Sequence, residues 1–166
     1  MATPQDLAKV RYSRAGRILF TIALGLGVML PATMAQSAEG EKSRVIRVRD
    51  AKATRFLTPD PARVRAMLDR ALPKFTGQAT PRAAWRSLVT PADVIGLKVD
   101  AQHGPMAGTR PALVESVARS LMDAGIPARQ IVIWDRSLEE LKKAGYARMA
   151  KALGVRLAGA RDAGFE

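Results

Sequence analysis

From residue 45 onward the apolar positions of this chain alternate between short runs and spacings of three and four. Val45, Ile46 and Val48, set among arginines, predict a short first strand. Asp60-Pro61 then signals a helix start, because the aspartate can accept from exposed amides and the proline brings a preset φ to the first helical position. Val64, Met67, Leu68, Ala71 and Leu72 form one helical stripe, which Pro73 is expected to end. Thr80-Pro81 repeats the start signal for a brief second helix that buries Trp85 and Leu88 and stops at Thr90-Pro91.

The nearly continuous run Val94-Ile95-Gly96-Leu97-Lys98-Val99 has the pattern of a strand covered on both faces and is expected to be the central strand. A Gly- and Pro-bearing loop over residues 100–110 leads to Pro111 and the longest amphipathic helix, with Leu113, Val114, Val117, Leu121 and Met122 on one side. Gly125 is its left-handed terminator. Ile131-Val132-Ile133-Trp134 predicts another strand. Ser137 and Glu140 stand at capping-box spacing, where each side chain satisfies the other residue's amide. Gly145 and Gly154 close two more helical pieces, and Val155-Arg156-Leu157 is a last candidate strand. Strands separated by helices predict the α/β class: a single three-layer domain with a small, mostly parallel sheet of three to four strands and helices on its faces.

The amino terminus changes the picture of where such a domain works. Lys9, Arg11, Arg14 and Arg17 precede an apolar run from Ile18 to Leu30, then Pro31 and small residues to Ala38, the layout of a cleavable secretory signal. The run is shorter than the roughly 20 apolar residues that span a bilayer core, so an uncleaved membrane anchor is the weaker reading. Thr33-Met34-Ala35 and Ala35-Gln36-Ser37 place the cut between about residues 35 and 38, with an α/β domain over 39–166 and a polar tether over 39–44. Arg14 and Arg17 are not adjacent, which argues for secretion of an unfolded chain to the periplasm or medium.

The absence of cysteine excludes a disulfide framework, a thiol-linked lipid and an iron–sulfur cluster from the chain's own ligands, so stability must come from the core. With one histidine besides, no metal site is assigned and no cofactor is identified. Lys and Arg number 27 against 15 Asp and Glu, a net charge of +12, and the excess persists beyond the signal. Such a balance attracts anionic partners. Eight aromatic residues and no recognisable reader motif disfavour nucleic acid.

In open parallel sheets ligands gather outside the carboxyl ends of the strands. That rule points to Asp50 after the first strand, to Lys98, Asp100 and His103 after the second, and to Asp135 and Arg136 after the third. Lys98 and Arg136 can pair with a phosphate or carboxylate, while Asp100 and Asp135 can hold a divalent cation or hydroxyl groups. His103, in a mobile-looking loop, can act as a general base. Each also has a plain reading: aspartates favour turns, a lysine stem packs while its ammonium reaches water, and a loop histidine is commonly solvated. Gly104 and Gly108 match neither phosphate-loop pattern, and no Gly-x-Ser-x-Gly elbow exists. Glu139, Glu140, Lys142 and Lys143 read as helix surface, and Trp85 and Trp134 as core fillers.

The segments Ala84-Trp85-Arg86, Asp93-Val94-Ile95-Gly96-Leu97-Lys98-Val99, Pro111, Ala124-Gly125-Ile126 and Ile131-Val132-Ile133-Trp134-Asp135-Arg136, in this order and spacing, resemble the domain-of-unknown-function family numbered 362. The similarity covers most of residues 45–157. It implies an exported protein of unassigned activity; some members carry cysteine-rich iron–sulfur segments, which this chain lacks. An asparagine usually follows the Lys-Val pair in the family and a histidine often precedes the proline, where Asp100 and Arg110 stand here. The family pattern continues beyond Leu157, so the resemblance is to its amino-terminal part.

Three functional expectations follow. The leading one is an exported α/β domain, binding or vestigially enzymatic, that takes a small anionic or metal-chelated ligand at its strand ends. A second is a non-enzymatic basic envelope protein docking on anionic surfaces or an acidic partner. The third is a truncated copy without a role of its own. A homodimer or a completing protein partner can cover an unpaired sheet edge.

Overall fold

A computed structural model describes residues 44–162 of the chain; the secretory signal expected over residues 1–38 lies outside them. The first helix begins as its sequence dictates. Asp60 accepts from the amides of Ala62 and Arg63 at 3.0 and 3.2 Å, and α1 runs Pro61–Thr76. It does not stop at Pro73. The helix continues for most of a turn to Gly77, whose φ of 75° suits a residue without a Cβ and whose N–H donates to the Pro73 carbonyl. Thr80 caps α2, Pro81–Leu88, by accepting from the Ala83 amide.

Three parallel strands follow: β3 (Ile95–Lys98), β4 (Ile131–Asp135) and β5 (Arg156–Gly159), hydrogen-bonded in the order β3-β4-β5. The strand expected to be central is thus an edge, and β4 is the centre. The strand expected at Val45–Val48 is absent from the sheet; residues 44–50 are irregular, and Val45 is 85% exposed. In its place a two-residue antiparallel ladder forms just downstream, β1 (Thr54–Arg55) with β2 (Thr58–Pro59).

Between β3 and β4 the chain makes a short helix α3 (Gly104–Ala107), where an open loop was expected, and then α4 (Pro111–Asp123). Gly125, at φ 99°, ends α4 in a paired motif: Ile126 N–H donates to Leu121 O at 3.1 Å and Gly125 N–H to Met122 O at 2.9 Å. A 3₁₀ turn at Ala128–Gln130 leads into β4. Ser137 then caps α5 (Leu138–Lys143) by accepting from the Glu140 amide, but Glu140 turns its carboxylate to Arg136 instead of back to residue 137. Only half of the expected capping box forms. Left-handed glycines at 145 and 154 bracket α6 (Tyr146–Leu153).

The core lies on one face of the sheet. Ile131 and Ile133 are fully buried and register with Ile95 and Leu97 on β3. Val114, Ala118 and Leu121 of α4, Leu141 of α5, and Tyr146, Ala150 and Leu153 of α6 join them in one cluster. Helices α1 and α2 pack outside this layer, against each other and α4, and Trp85 donates from Nε1 to Ser120 Oγ at 2.8 Å. The opposite face carries Gly96, Lys98 and Arg156 exposed, with Val132, Trp134 and Ala158 half-buried. Among the described residues, the helices expected on both faces are therefore found on one. Strands that advance in one direction across a sheet force this, because each right-handed crossover lands on the same side. Among the described residues no helix is long and apolar enough to cross a membrane.

Candidate functional site

Parallel pairing brings the carboxyl ends of the strands to one end of the sheet. Lys98 registers with Trp134, the Val99 amide extends the ladder by donating to Trp134 O at 3.0 Å, and the amides of Ala160 and Arg161 donate to the carbonyls of Asp135 and Arg136. All five residues singled out from the sequence at these ends, Lys98, Asp100, His103, Asp135 and Arg136, line a single open cleft of about 580 Å³. Asp50 does not join them; it accepts from the Lys52 amide and from Arg63, in another part of the fold.

Asp135 is the most enclosed of the five, at 6% exposure. Its Oδ1 accepts from Lys98 Nζ at 2.8 Å and its Oδ2 from the Ala101 amide at 2.7 Å, so one carboxylate ties β4 to the chain leaving β3. Burial alone would raise its pKa. Hydrogen bonds from Lys98 and from the Ala101 and Arg136 amides, together with the Lys98 charge, outweigh that and hold it below the usual 3.8. Lys98 also donates to Val99 O, and its ammonium stands 5.7 Å from the centre of the Trp134 ring. The indole lies against Gly96, where a Cβ would come within 3.0 Å of its Nε1, so the missing side chain makes room for the ring.

The histidine arm is pinned. Asp100 N–H donates to Thr109 Oγ1 and Thr109 N–H returns to Asp100 O, both at 2.9 Å. A Cβ on Gly108 would overlap the Asp100 carbonyl oxygen, so this close approach needs glycine. Behind it, the buried Tyr146 donates from Oη to Thr109 O at 2.7 Å. Burial, then the Asp135 and Asp100 charges, push the Tyr146 hydroxyl up to about 12. On this platform His103 Nδ1 stands 2.8 and 3.0 Å from the two Asp100 oxygens. A donor bond from Nδ1 leaves Nε2 as the acceptor, the arrangement in which an imidazole can take a proton.

Arg136 donates to Glu140 Oε1 at 2.8 Å. Three acids of the cleft, Asp100, Asp135 and Glu140, are thus each engaged by His103, Lys98 or Arg136. Arg161, exposed and lining the same cleft, makes no side-chain hydrogen bond or ion pair among the described residues. Sequence reasoning missed Arg161, Glu140 and Trp134 as lining residues. The strand-end rule was not extended to β5; doing so points to the residues just after Gly159. Among the described residues no three His, Asp or Glu side chains group as a metal site.

No protein-family model, curated protein or solved structure matches this chain.

Proposed function

We propose that this domain binds a small organic anion, a carboxylate or phosphate ester, in the cleft at the carboxyl ends of β3 and β4. The observation that carries the reading is the cleft's charge arrangement: its acids are engaged within the protein while the exposed Arg161 lines the same cleft with no side-chain partner among the described residues. A guanidinium in such a place offers two parallel N–H groups to a planar carboxylate or a phosphate, and Trp134 supplies an apolar wall beside them. The excess of basic residues that remains beyond the amino-terminal segment steers anions toward the domain from a distance. Lys98 and Asp135, which also carry the resemblance to the family numbered 362, shape the floor. The His103–Asp100 pair stands within the same cleft and offers a proton acceptor to a bound hydroxyl. On this reading the domain acts beyond the cytoplasmic membrane, as its three-zone amino terminus suggests.

Thermal unfolding of the full chain against phosphate, citrate and sugar phosphates tests this. A ligand that binds only the folded state raises the transition. Arg161→Ala should weaken the binding by about tenfold or more, the loss of its charge-assisted hydrogen bonds, and leave the unliganded transition in place. A transition that none of these anions raises, or equal binding by the variant, overturns the proposal.

A further inference from the structure

The two-residue turn between β1 and β2 is built from the wrong residues for its shape. Phe56 and Leu57 both have positive φ, 47° and 64°. Two-residue hairpin loops adopt this mirror-image turn because its twist matches the strands, and they recruit asparagine and glycine to do so. A bulky side chain in that region is strained. Nothing in the core repays the strain, since Phe56 is 89% and Leu57 61% exposed. Folding therefore gives no reason for these two residues at the tip.

The surroundings of the tip supply one. Arg47 and Arg49, which flank Val48 beside the hairpin's base, and Lys52 and Arg55 are all exposed, against two nearby acids, Asp50 and Asp60, both of which face Arg63. Arg55 lies 5.5 Å from the centre of the Phe56 ring. At the hairpin's base Thr54 and Pro59 border an apolar groove of about 380 Å³ walled by Val48, Met67, Leu68 and Leu113. Two exposed apolar side chains beside a stretch of exposed cations match the chemistry of an anionic bilayer surface, whose acyl region accepts the side chains while its headgroups meet the cations. A protein partner rich in acid would satisfy the cations but gives no reason for two bulky apolar residues exposed in a strained turn.

We infer that the Phe56-Leu57 hairpin is an interfacial anchor that inserts into membranes containing anionic lipid. The site is distinct from the strand-end cleft and does not depend on what that cleft binds.

The chain has no cysteine, so one label can be placed at will. Thr58→Cys carrying an environment-sensitive nitrobenzoxadiazole dye reports the tip, and Ala152→Cys, exposed on α6, reports a remote surface. Because residues 18–30 are themselves an apolar run, insertion is read at the hairpin in the full chain and not as bulk association. With vesicles of phosphatidylcholine containing one-third phosphatidylglycerol, the dye at 58 should shift to the blue and brighten while the dye at 152 does not. Pure phosphatidylcholine should leave both unchanged. The double change Phe56→Asn with Leu57→Gly installs the favoured turn residues, so the fold should keep its thermal transition, yet the response at 58 should need at least tenfold more lipid. Arg47→Ser and Arg49→Ser should each weaken it roughly fivefold. A dye at 58 that stays wet on anionic vesicles, or responds equally in the Asn-Gly variant, overturns the inference. A dye that is buried only when the chain self-associates assigns the tip to a second copy and also overturns it.

Discussion

Asp135 shows how much a single side chain can organise. It is nearly buried, it neutralises Lys98, and it gives the Ala101 amide its acceptor, so its loss orphans a backbone donor as well as a charge. Asp135→Asn keeps one acceptor oxygen and should cost about 1–3 kcal/mol, a range that allows for the half-exposed Lys98 being screened by water. The pH dependence has a definite sign. The folded carboxyl is held below its ordinary value, so its contribution is present above about pH 4 and fades as pH falls through the folded pKa. Denaturant unfolding at pH 5 and at pH 2.5 should show a smaller acid loss in Asp135→Asn than in the parent; equal losses would mean the carboxylate is not engaged as described. The same residue marks how far the site was legible from sequence. One topological rule places Lys98, Asp100, His103, Asp135 and Arg136 at one end of the sheet, where they line one cleft, because strand ends can be located from apolar runs alone. The pairing among them was hidden, since it depends on register: nothing in the chain announces that Lys98 reaches across 37 residues to Asp135.

At the level of elements, the local signals held and the non-local ones slipped. Asp60, Thr80, Gly125 and Gly154 act within a few residues of themselves, and each does what its chemistry predicts. Pro73 is the instructive exception. Proline is hostile inside a helix because it has no N–H and its ring crowds the preceding turn, yet α1 carries on past it to Gly77. Burial of Leu72 and the packing of α1 on α2 and α4 override a local preference. Pro73→Ala restores the missing donor and should stabilise the domain by about 1–2 kcal/mol, the helix gain being offset in part by a freer unfolded chain. An unchanged or lower denaturation midpoint would show that the backbone the proline ring fixes is needed for that packing. The expected first strand failed for the opposite reason: Val45, Ile46 and Val48 have strand-like character but no strand beside them to pair with.

For the whole molecule, the misreading of β3 as the central strand has a physical origin. A continuous apolar run suggests cover on both faces, but Gly96 is exposed, Val94 is 64% exposed, and only the alternate residues Ile95, Leu97 and Val99 turn toward the core. Alternation was present and was masked by a valine and a glycine on the open side. Strand order carries the rest of the difference, because period in the sequence says nothing about which strand pairs with which. The observed order makes a prediction about local stability. β4 is bonded on both sides and has Ile131 and Ile133 fully buried, whereas β3 and β5 each have one neighbour among the described strands. Amide exchange in the native state should therefore be slowest in residues 131–135, opening only with global unfolding, and faster in 95–98 and in the 54–59 ladder, which can open locally. If residues 95–98 instead exchange as slowly as β4, their outer edge is covered in solution. Repeating the exchange at tenfold lower protein concentration then separates the two ways of covering it. Protection that falls on dilution belongs to a second copy laid along β3, and protection that persists belongs to the chain itself.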